Sequence, residues 1–186
     1  MADSFLSNDE LKELGLKSFG KNVLISRKAS VYSPQTISIG DHVRIDDFCI
    51  LSGNISIGSY VHISAYNALY GKSGIEIADF VTISGRVMVY SESDDYSGEF
   101  MTNPMLPSTF TNVYGAKVTF QKHAIVYSGS IILPGVTIGE GACVGAMSLV
   151  KNDLDAWTIY AGVPAVRIKN RKQNILELEQ QFRKQL

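Results

Sequence analysis

The sequence predicts an all-β chain that winds into a solenoid of triangular coils. The chain has 186 residues, of which 45% are hydrophobic and 19% are charged, and this suits one domain with a self-sufficient core. It contains 18 Ile and 15 Val; all but Ile175 lie between Val23 and Ile168, and none falls between residues 90 and 112. Because β-branched residues favour strands, β structure should fill most of the chain and be interrupted once.

The strongest signal is an apolar residue, usually β-branched, that recurs at every sixth position. An ordinary strand alternates with a period of two and then turns, whereas a sustained period of six requires very short strands with a tight corner after each. Three such hexads close a triangle, and successive coils stack about 4.8 Å apart. The hexads begin at Phe19, Ile25, Val31, Ile39, Ile45, Leu51, Ile57, Ile63, Leu69, Ile77, Ile83, Val89, Phe120, Val126, Ile132, Ile138, Val144 and Val150.

The breaks in the repeat all fall at one corner of the triangle. Residues 31–38 and 69–76 are each two residues longer than a hexad, and a long excursion follows the hexad at Val89. Counted in threes, these hexads belong to the same side, so one corner is predicted to carry every insertion. Each irregular stretch ends in an apolar–polar pair before the repeat resumes: Ile37-Ser38, Ile75-Glu76 and Val118-Thr119.

The excursion, residues 91–117, is predicted to protrude from that corner as a loop. Loops of this length are usually functional or disordered, and a segment this rich in apolar residues does not suit a flexible linker. It either faces the substrate, which we expect, or only packs onto a neighbour. Its large apolar side chains are Tyr96, Phe100, Met101, Met105, Leu106, Phe110 and Tyr114.

Short helices are predicted at both ends. Ser7 and Glu10 have capping-box spacing, and Gly15 can end a helix over residues 8–14 that covers the first coil. A second helix, over about 172–186, has one apolar face made of Ile175, Leu178, Phe182 and Leu186. The expected organisation is an N-terminal capping segment (1–18), a β-helix domain (19–170) and a C-terminal helix (171–186).

The composition argues against several classes of protein. A formal net charge of −1 argues against a nucleic-acid binder, because such domains usually carry a basic surplus. No apolar run approaches the ~20 residues of a membrane span, and the N-terminus is too polar for a signal peptide. Cys49 and Cys143 cannot build a disulfide framework, so a reducing, cytoplasmic location is expected.

Four stretches resemble the hexapeptide-repeat acyltransferases, which fold as left-handed parallel β-helices: ISIGDHVRID, IEIADFVTIS, ILPGVTIGEGACVGAMSLV and YAGVPAVRIKNR. Within that family the chain is similar to sugar acetyltransferases of the galactoside O-acetyltransferase type, including those of polysaccharide and lipopolysaccharide biosynthesis. The resemblance implies acetyl-CoA as co-substrate, no metal, and a sugar or nucleotide-sugar acceptor. It also implies a homotrimer with active sites between subunits.

A stripe of small residues marks a candidate donor groove. The third position of successive hexads on one side of the triangle is Ala65, Gly85, Ser128 and Ala146. Such a stripe leaves room for a narrow chain, such as pantetheine, to lie against backbone amides. The resemblance assigns donor contacts to Ser128, Gly145, Ala146, Ala161 and Gly162, and nucleotide-phosphate contacts to Lys151, Arg167 and Lys169.

The general base is harder to assign. Acyl transfer to a hydroxyl needs a base, because a hydroxyl is a weak nucleophile at pH 7. The galactoside-type relatives use a His at the start of the loop, but residues 91–99 contain none. His123, just after the loop, is the candidate base, and the carboxylates of Asp94, Asp95 or Glu92 are the alternatives. The acceptor is expected to contact Tyr70, Asp94, Asp95 and Tyr96.

Three functions fit these features. The first is O-acetylation of a saccharide. The alternative is N-acetylation of a nucleotide-linked amino sugar, because an amine that is partly neutral at pH 7 attacks a thioester more readily than a hydroxyl does. The third is a non-catalytic binding or scaffold protein, which the missing loop His favours and the retained AGVPA segment disfavours.

Two further enzymes of this coil type are less favoured. A metal enzyme resembling γ-type carbonic anhydrase needs three His on one ion, but His42, His62 and His123 fall on different coils. We expect His42 and His62 to be surface or packing residues. An acetyltransferase that modifies antibiotics remains an alternative.

Overall fold

The computed structural model describes residues 4–185 and shows a solenoid of short parallel strands with a helix near each end. In chain order the strands are β1 (Ser18–Phe19), β2 (Leu24–Ile25), β3 (Ser30–Tyr32), β4 (Ile37–Ile39), β5 (Arg44–Ile45), β6 (Ile50–Ile57), β7 (His62–Ile63), β8 (Ala68–Ile77), β9 (Thr82–Ile83), β10 (Met88–Tyr90), β11 (Glu92–Asp94), β12 (Val113–Gly115), β13 (Val118–Phe120), β14 (Ile125–Val126), β15 (Ile131–Ile132), β16 (Thr137–Ile138), β17 (Cys143–Val144), β18 (Leu149–Val150), β19 (Thr158–Ala161) and β20 (Val166–Asn170).

The strands form the three sides of a triangular coil. The first side holds β1, β4, the ends of β6 and β8, β13 and β16. The second side holds β2, β5, β7, β9, β14, β17 and β19. The third side holds β3, the starts of β6 and β8, β10, β15 and β18. Every pair along a side is parallel, which confirms the predicted all-β solenoid.

The repeating residues point into the triangle and make the core. From the second coil onward each hexad begins with a buried side chain, and Ile45, Ile63 and Ile83 stack directly above one another on the second side. Burial of one such side chain contributes about 1.5–3 kcal/mol. The hexads of the first coil at Phe19 and Val31 are only partly buried, because that coil lies at the end of the stack.

The insertions lie at the corner between the third and first sides, as predicted. There β6 and β8 continue round the corner as single strands of 8 and 10 residues. The first insertion forms a 3-10 turn over Pro34–Thr36. Backbone pairing elsewhere leaves no room for extra residues, so this corner is where the chain can leave the coil and return.

The loop of residues 91–117 leaves that corner as a hairpin. Its arms are β11 and β12, which pair antiparallel. The base is fixed by the fully buried Ser91, whose N–H donates to the Tyr70 carbonyl at 2.9 Å and whose carbonyl accepts from the Ala116 N–H at 2.9 Å. The loop is therefore anchored to the coil on both of its strands, while its outer part lies in solvent.

The N-terminal helix α1 (Asn8–Glu13) begins at the predicted capping box. The Ser7 hydroxyl accepts from the Glu10 N–H at 3.3 Å, and the Glu10 carboxylate accepts from the Ser7 N–H at 2.8 Å. Leu11, on the inner face of the helix, is 1% exposed and belongs to the core. The helix thus covers the open end of the first coil.

The C-terminal end leaves the coil and finishes in a helix that starts later than expected. Strand β20 does not continue the coil but returns antiparallel to β19. The helix α2 (Ile175–Arg183) begins later than the predicted residue 172, because Arg171 first ties the chain to the coil by donating to the carbonyls of His123 and Gly141 at 2.9 Å. Phe182 packs on Phe80, Leu178 stays 60% exposed, and the predicted apolar position Leu186 lies outside the described residues.

The close stacking of coils leads to a first prediction, at Gly58. An added Cβ there would lie 2.8 Å from the Ala78 carbonyl carbon of the next coil. Gly58→Ala should therefore destabilise the fold by about 1–3 kcal/mol in urea unfolding followed by circular dichroism. Ser56→Ala, on the exposed face of the strand that ends just before Gly58, is the control and should stay within about 0.5 kcal/mol. A Gly58→Ala variant as stable as the control would mean that the corner widens without cost.

Candidate active site

The predicted donor residues come together at the corner between the second and third sides. The Met147 N–H donates to the Ser128 carbonyl at 2.9 Å, and the Gly145 N–H donates to the Tyr160 carbonyl at 2.7 Å. These ladder bonds place Ser128 and Ala146 directly above one another. They also bring together, on the last coils, Ser128, Gly145, Ala146, Ala161 and Gly162.

This corner can be built only with small side chains. An added Cβ at Gly145 would lie 2.9 Å from the Ala161 methyl, and one at Gly85 would lie 3.0 Å from the Ala65 carbonyl. Ser128 and Ala146 are both exposed. The small-residue stripe (Ala65, Gly85, Ser128 and Ala146) is therefore a shallow, solvent-open track, which is the shape that a narrow donor chain requires.

Two of the three predicted cations share a small cavity at the C-terminal end of the solenoid. Lys151 and Arg167 both line this cavity of about 210 Å³, together with the carboxylate residue Asp153. The Arg167 guanidinium also donates to the Asn170 side chain at 2.6 Å. Lys169 lies nearby on β20 and is exposed. The three cations thus cluster beyond one end of the stripe.

A larger cavity of about 910 Å³ lies between the loop and the third side. We call it the loop cavity. Its lining is mixed, with the charged residues Lys72, Glu92 and Asp94 beside apolar ones such as Leu106 and Leu133. Its lining residues are Lys72, Tyr90, Glu92, Ser93, Asp94, Asn103, Pro104, Leu106, Ser108, Thr111, Val113, Leu133 and Pro134. A space of this size and mixed character is typical of small-molecule sites.

Two carboxylates of the loop cavity differ in their partners. Glu92 accepts from the Ser73 hydroxyl at 2.8 Å and pairs with the Lys72 ammonium at 3.2 Å. Asp94, two residues further along the same strand, has no side-chain partner among the described residues. Asp94 is therefore the carboxylate of this cavity that is free to accept a proton or bind a cationic group.

The other predicted acceptor residues take different places. Asp95 accepts from the side chain and N–H of Ser97 and from the Asn112 amide, and these bonds hold the pKa of Asp95 below its usual range. Tyr96 is 91% exposed on the outer loop. Tyr70 stacks against Tyr90, with ring centroids 5.3 Å apart. Of the residues predicted to contact the acceptor, Asp94 lines the loop cavity, and Tyr70 stacks on Tyr90, which also lines it.

His123 lies away from this cavity, at the corner between the first and second sides. It is 7% exposed, and its Nε2 lies 2.7 Å from a Glu179 carboxylate oxygen of α2. Its ring is 5.2 Å from the Phe80 ring and 6.3 Å from the Trp157 ring. These contacts give His123 a packing role between the coil and α2.

Glu179 is the centre of that contact. Its carboxylate, 8% exposed, accepts from Lys122 at 2.7 Å, from His123 at 2.7 Å and from Arg183 at 2.6 Å. Burial alone would raise the pKa of Glu179, but the three hydrogen bonds outweigh it and lower the pKa to about 2. The ionised carboxylate therefore holds α2 against the coil.

Acid should release this contact. Because the pKa of Glu179 is lower in the folded chain than the ordinary 4.5, its stabilisation is full above pH 4.5 and is lost as the pH falls towards 2. Glu179→Gln should lose about 3 kcal/mol at pH 7 and show a flatter stability profile between pH 5 and about pH 2. Chemical unfolding across this range measures both effects.

Glu177→Gln, on the exposed face of the same helix, is the control for this measurement. It should follow the wild-type profile. Equal profiles for wild type and Glu179→Gln would contradict the assignment.

Several residues at these sites carry no sequence signal strong enough to select them. Lys72 sits in the insertion at the loop corner, and Tyr90 directly follows the last inward residue before the loop. Ser84 immediately precedes Gly85 of the small-residue stripe. Their positions in the repeat could have suggested them, but exposed Lys, Tyr and Ser are too common for position alone to decide.

Two negative findings concern the described part of the chain. Within residues 4–185, no cluster of three or more His, Cys, Asp or Glu side chains is arranged to hold a metal ion. No helix in that range has the length and apolar character needed to cross a membrane.

Coils of three hexads, a small-residue stripe and a loop cavity define a hexapeptide-repeat transferase. No family model matches the chain. It is 47% identical over 183 residues to dTDP-4-amino-4,6-dideoxy-D-glucose acyltransferase of Escherichia coli, covering 97% of this chain and 95% of the relative. It is 27% identical over 154 residues to WbbJ of E. coli K12, a putative lipopolysaccharide biosynthesis O-acetyl transferase, covering 78% of this chain and 74% of the relative.

Solved structures of AntD, an N-acyltransferase from Bacillus cereus, superpose on the chain. The S84C variant, in complex with dTDP-4-amino-4,6-dideoxyglucose and coenzyme A, has a TM-score of 0.97 and 55% identity, with both chains covered completely. The D94N variant, in complex with dTDP and coenzyme A, has a TM-score of 0.97 and 56% identity over 98% of this chain and 100% of that one. This chain has Ser84 and Asp94 at the same numbers.

The chain belongs to the hexapeptide-repeat sugar acyltransferase family and is an acyl-CoA-dependent acyltransferase. The predicted fold, enzyme class and co-substrate are thus confirmed. For the acceptor, the comparisons favour the alternative, an amino sugar on a nucleotide, over the saccharide hydroxyl that was the first expectation.

Proposed function

We propose that the enzyme transfers an acyl group from acyl-CoA to the 4-amino group of a dTDP-linked 4-amino-4,6-dideoxy sugar, for use in a surface polysaccharide. The observation that carries this proposal is Asp94, a carboxylate without a side-chain partner in a cavity of about 910 Å³. Support comes from the relatives: the E. coli enzyme is named for this acceptor, and AntD binds it together with coenzyme A.

A carboxylate suits an amine better than a hydroxyl. A carboxylate is a much weaker base than the alkoxide of a sugar, so it activates a sugar hydroxyl poorly at pH 7. An amino sugar arrives largely as an ammonium ion, which a carboxylate attracts and from which it can take a proton. The absence of a His from residues 91–99, which argued against O-acetylation, is therefore no obstacle to N-acylation.

Asp94 is our choice of base in place of His123. The Nε2 of His123 is bonded to Glu179, and the ring is buried at a different corner from the loop cavity. The hypothesis that His123 acts as a base stays open to a direct test, since His123→Ala should lower kcat by ~10²–10⁴-fold if it is one. With Asp94 as base, His123→Ala should instead weaken the packing of α2 and leave the chemical step intact.

The reaction begins with the transfer of a proton to Asp94. Asp94 takes one proton from the ammonium, and the neutral amine attacks the thioester carbonyl, so that the C–N bond forms and a tetrahedral intermediate results. The C–S bond then breaks with its electron pair on sulfur, and the second nitrogen proton goes to the departing thiolate. We expect a backbone N–H of the small-residue stripe near Ser128 to donate to the oxyanion of the tetrahedral intermediate. Lys151, Arg167 and Lys169 supply positive charge for the nucleotide phosphates of CoA.

We also propose that the active site is shared between copies in a homotrimer. In one chain the small-residue stripe lies at the corner between the second and third sides, whereas the loop cavity lies between the third and first. A head-to-tail contact between copies can set the stripe of one against the cavity of the next, and such contacts close into a ring. The free thiols of Cys49 and Cys143 suit the cytoplasm.

The role of Asp94 gives a prediction about activity. Asp94→Asn should lower kcat with the dTDP-amino sugar by ~10²–10³-fold, since it can no longer take the ammonium proton. The loss should shrink as pH rises, because more acceptor is then already neutral. CoA release from acetyl-CoA and 3-hydroxybutyryl-CoA, followed with a thiol reagent, measures the rate, and mass spectrometry identifies the product.

Glu99→Gln, an exposed carboxylate of the same loop, is the control and should keep full activity. The matching 4-hydroxy sugar nucleotide tests the acceptor class. Acylation of that hydroxyl in preference to the amine would overturn the proposal and restore the O-acetyl hypothesis.

The shared site gives a prediction by subunit mixing. Ala146→Trp should block the donor stripe, and Asp94→Ala should disable the loop cavity, so each variant alone should be inactive. Co-expressed in equal amounts, they should regain about a quarter of wild-type activity, because that fraction of interfaces joins an intact stripe to an intact cavity. No regained activity in assemblies shown by native mass spectrometry to be mixed trimers would place the whole site within one chain.

A further inference from the structure

A histidine–carboxylate pair lies on the outer face of the second side and has no part in the site described so far. The Nε2 of His62 on β7 lies 2.8 Å from an Asp46 carboxylate oxygen on the preceding coil. The two residues are 16 positions apart in the sequence and meet because adjacent coils stack. The His62 side chain is 42% exposed, so it is held by Asp46 and is still open to the outside.

The surroundings of Asp46 determine which member of the pair donates the hydrogen bond. Its other carboxylate oxygen accepts from the Arg44 Nε–H at 2.7 Å, and the side chain is only 16% exposed. Burial raises the pKa of Asp46, but the hydrogen bonds from His62 and Arg44 outweigh it, so the pKa is lowered and the group is ionised. An ionised carboxylate only accepts hydrogen bonds.

The tautomer of His62 follows from this. The proton of a neutral imidazole must sit on Nε2, which leaves the Nδ1 lone pair free to accept another proton. Nδ1 has no hydrogen-bond partner among the described residues. A carboxylate that orients a histidine and stabilises its protonated form is the arrangement that makes histidine an effective proton acceptor.

The pair lies beside Ser84. Strand β7 pairs with β9 so that His62 is opposite Thr82, and Ser84 is the next outward residue after Thr82. Two residues along a strand and one coil across correspond to about 8 Å between the Cα atoms of His62 and Ser84. The side chains of His62 and Ser84 therefore project from the same face, and Ser84 adjoins Gly85 of the small-residue stripe.

The stoichiometry of N-acylation requires a second proton transfer. An ammonium acceptor loses two protons on the way to an amide, and the CoA thiolate gains one. Asp94 accounts for the first, before attack. The second leaves the nitrogen after attack, on the donor side of the site, where the thiolate departs.

We infer that the Asp46–His62 pair is a proton relay that serves the acyl-transfer site through Ser84. This rests on the proposed function. After the C–N bond has formed, the nitrogen proton passes to the Ser84 hydroxyl, which gives its own proton to His62 Nδ1. The C–S bond breaks with its electron pair on sulfur, and the imidazolium returns the proton by the same path to the thiolate. Asp46 acts as a positioning residue.

The charged groups that face His62 are few. On the preceding strand β5 and the residue after it these are Arg44 and Asp46, which bond to each other. The following strand β9 presents the uncharged Thr82 and, just beyond it, Ser84. Asp46 is therefore the charged group of these strands that is hydrogen-bonded to His62.

His62→Gln is the informative variant. The glutamine amide can still donate to Asp46 from the position of Nε2, so the local structure is kept, but it cannot take up a proton. We expect kcat to fall by about 10²-fold, with the KM values for acyl-CoA and for the dTDP-amino sugar changed by less than about threefold. The acid-side dependence of kcat on pH that a titrating imidazole produces should be absent from the variant.

Two further variants guard against a purely structural effect. Asp46→Asn should lower kcat by a smaller factor than His62→Gln and shift the pH profile, because the imidazole loses the carboxylate that orients it. His42→Gln, an exposed histidine on another corner that stacks on Tyr60, should behave as wild type. Thermal unfolding of all three should show that each is folded.

The outcomes separate this inference from the proposed function. If wild type releases CoA with the dTDP-amino sugar and His62→Gln retains kcat within about threefold, the relay is refuted and the proposed function stands. A raised KM at unchanged kcat also refutes the relay, since it indicates a binding role. If wild type acylates no dTDP-amino sugar, the proposed function itself fails.

Discussion

The structure depends on the stacking of identical coils by parallel backbone pairing, with one buried apolar residue per hexad to hold each side in register. Ile45, Ile63 and Ile83 show the constraint: each lies over the last, and each is almost completely buried. Since backbone N–H and C=O groups along a side pair with the coils before and after, extra residues are accommodated where this pairing stops. The corner between the third and first sides is that place, and the loop and its cavity are built there.

The same stacking creates the chemistry of the outer face. Equivalent positions in successive coils become neighbours about 4.8 Å apart, although they are 16 to 20 or more residues apart in the sequence. The Tyr70–Tyr90 stack and the small-residue stripe arise in this way, and the Asp46–His62 pair joins diagonal neighbours of adjacent coils, since His62 lies opposite Arg44. A substitution at one position of one hexad therefore changes a surface to which neighbouring coils also contribute. In this way a core of repeated apolar residues can carry a specific site on its outer face.

The candidate binding sites lie at two corners and at the C-terminal end of the solenoid. The small-residue stripe offers backbone and little else, which suits a donor common to many relatives. The loop cavity is lined in part by Asp94, Glu92 and Lys72, which suits a polar and partly charged acceptor. The contact of Glu179 with His123 belongs to neither; it fastens α2 against the coil. His123, which its sequence position favours as a base, thus packs against α2. Asp94 of the loop has no side-chain partner among the described residues and is available for catalysis.

The sequence by itself determined the solenoid, because the period of six is a local property that each hexad repeats. It likewise determined the corner of the insertions, the capping box at Ser7 and Glu10, and the small-residue stripe, as all of these follow from counting. Tertiary structure decided which polar side chains meet. His123 and Glu179 are 56 positions apart, and no periodicity relates a coil to a terminal helix. Asp94 and Asp95 are neighbours in the chain, yet only folding of the loop leaves one free and gives the other to Ser97 and Asn112.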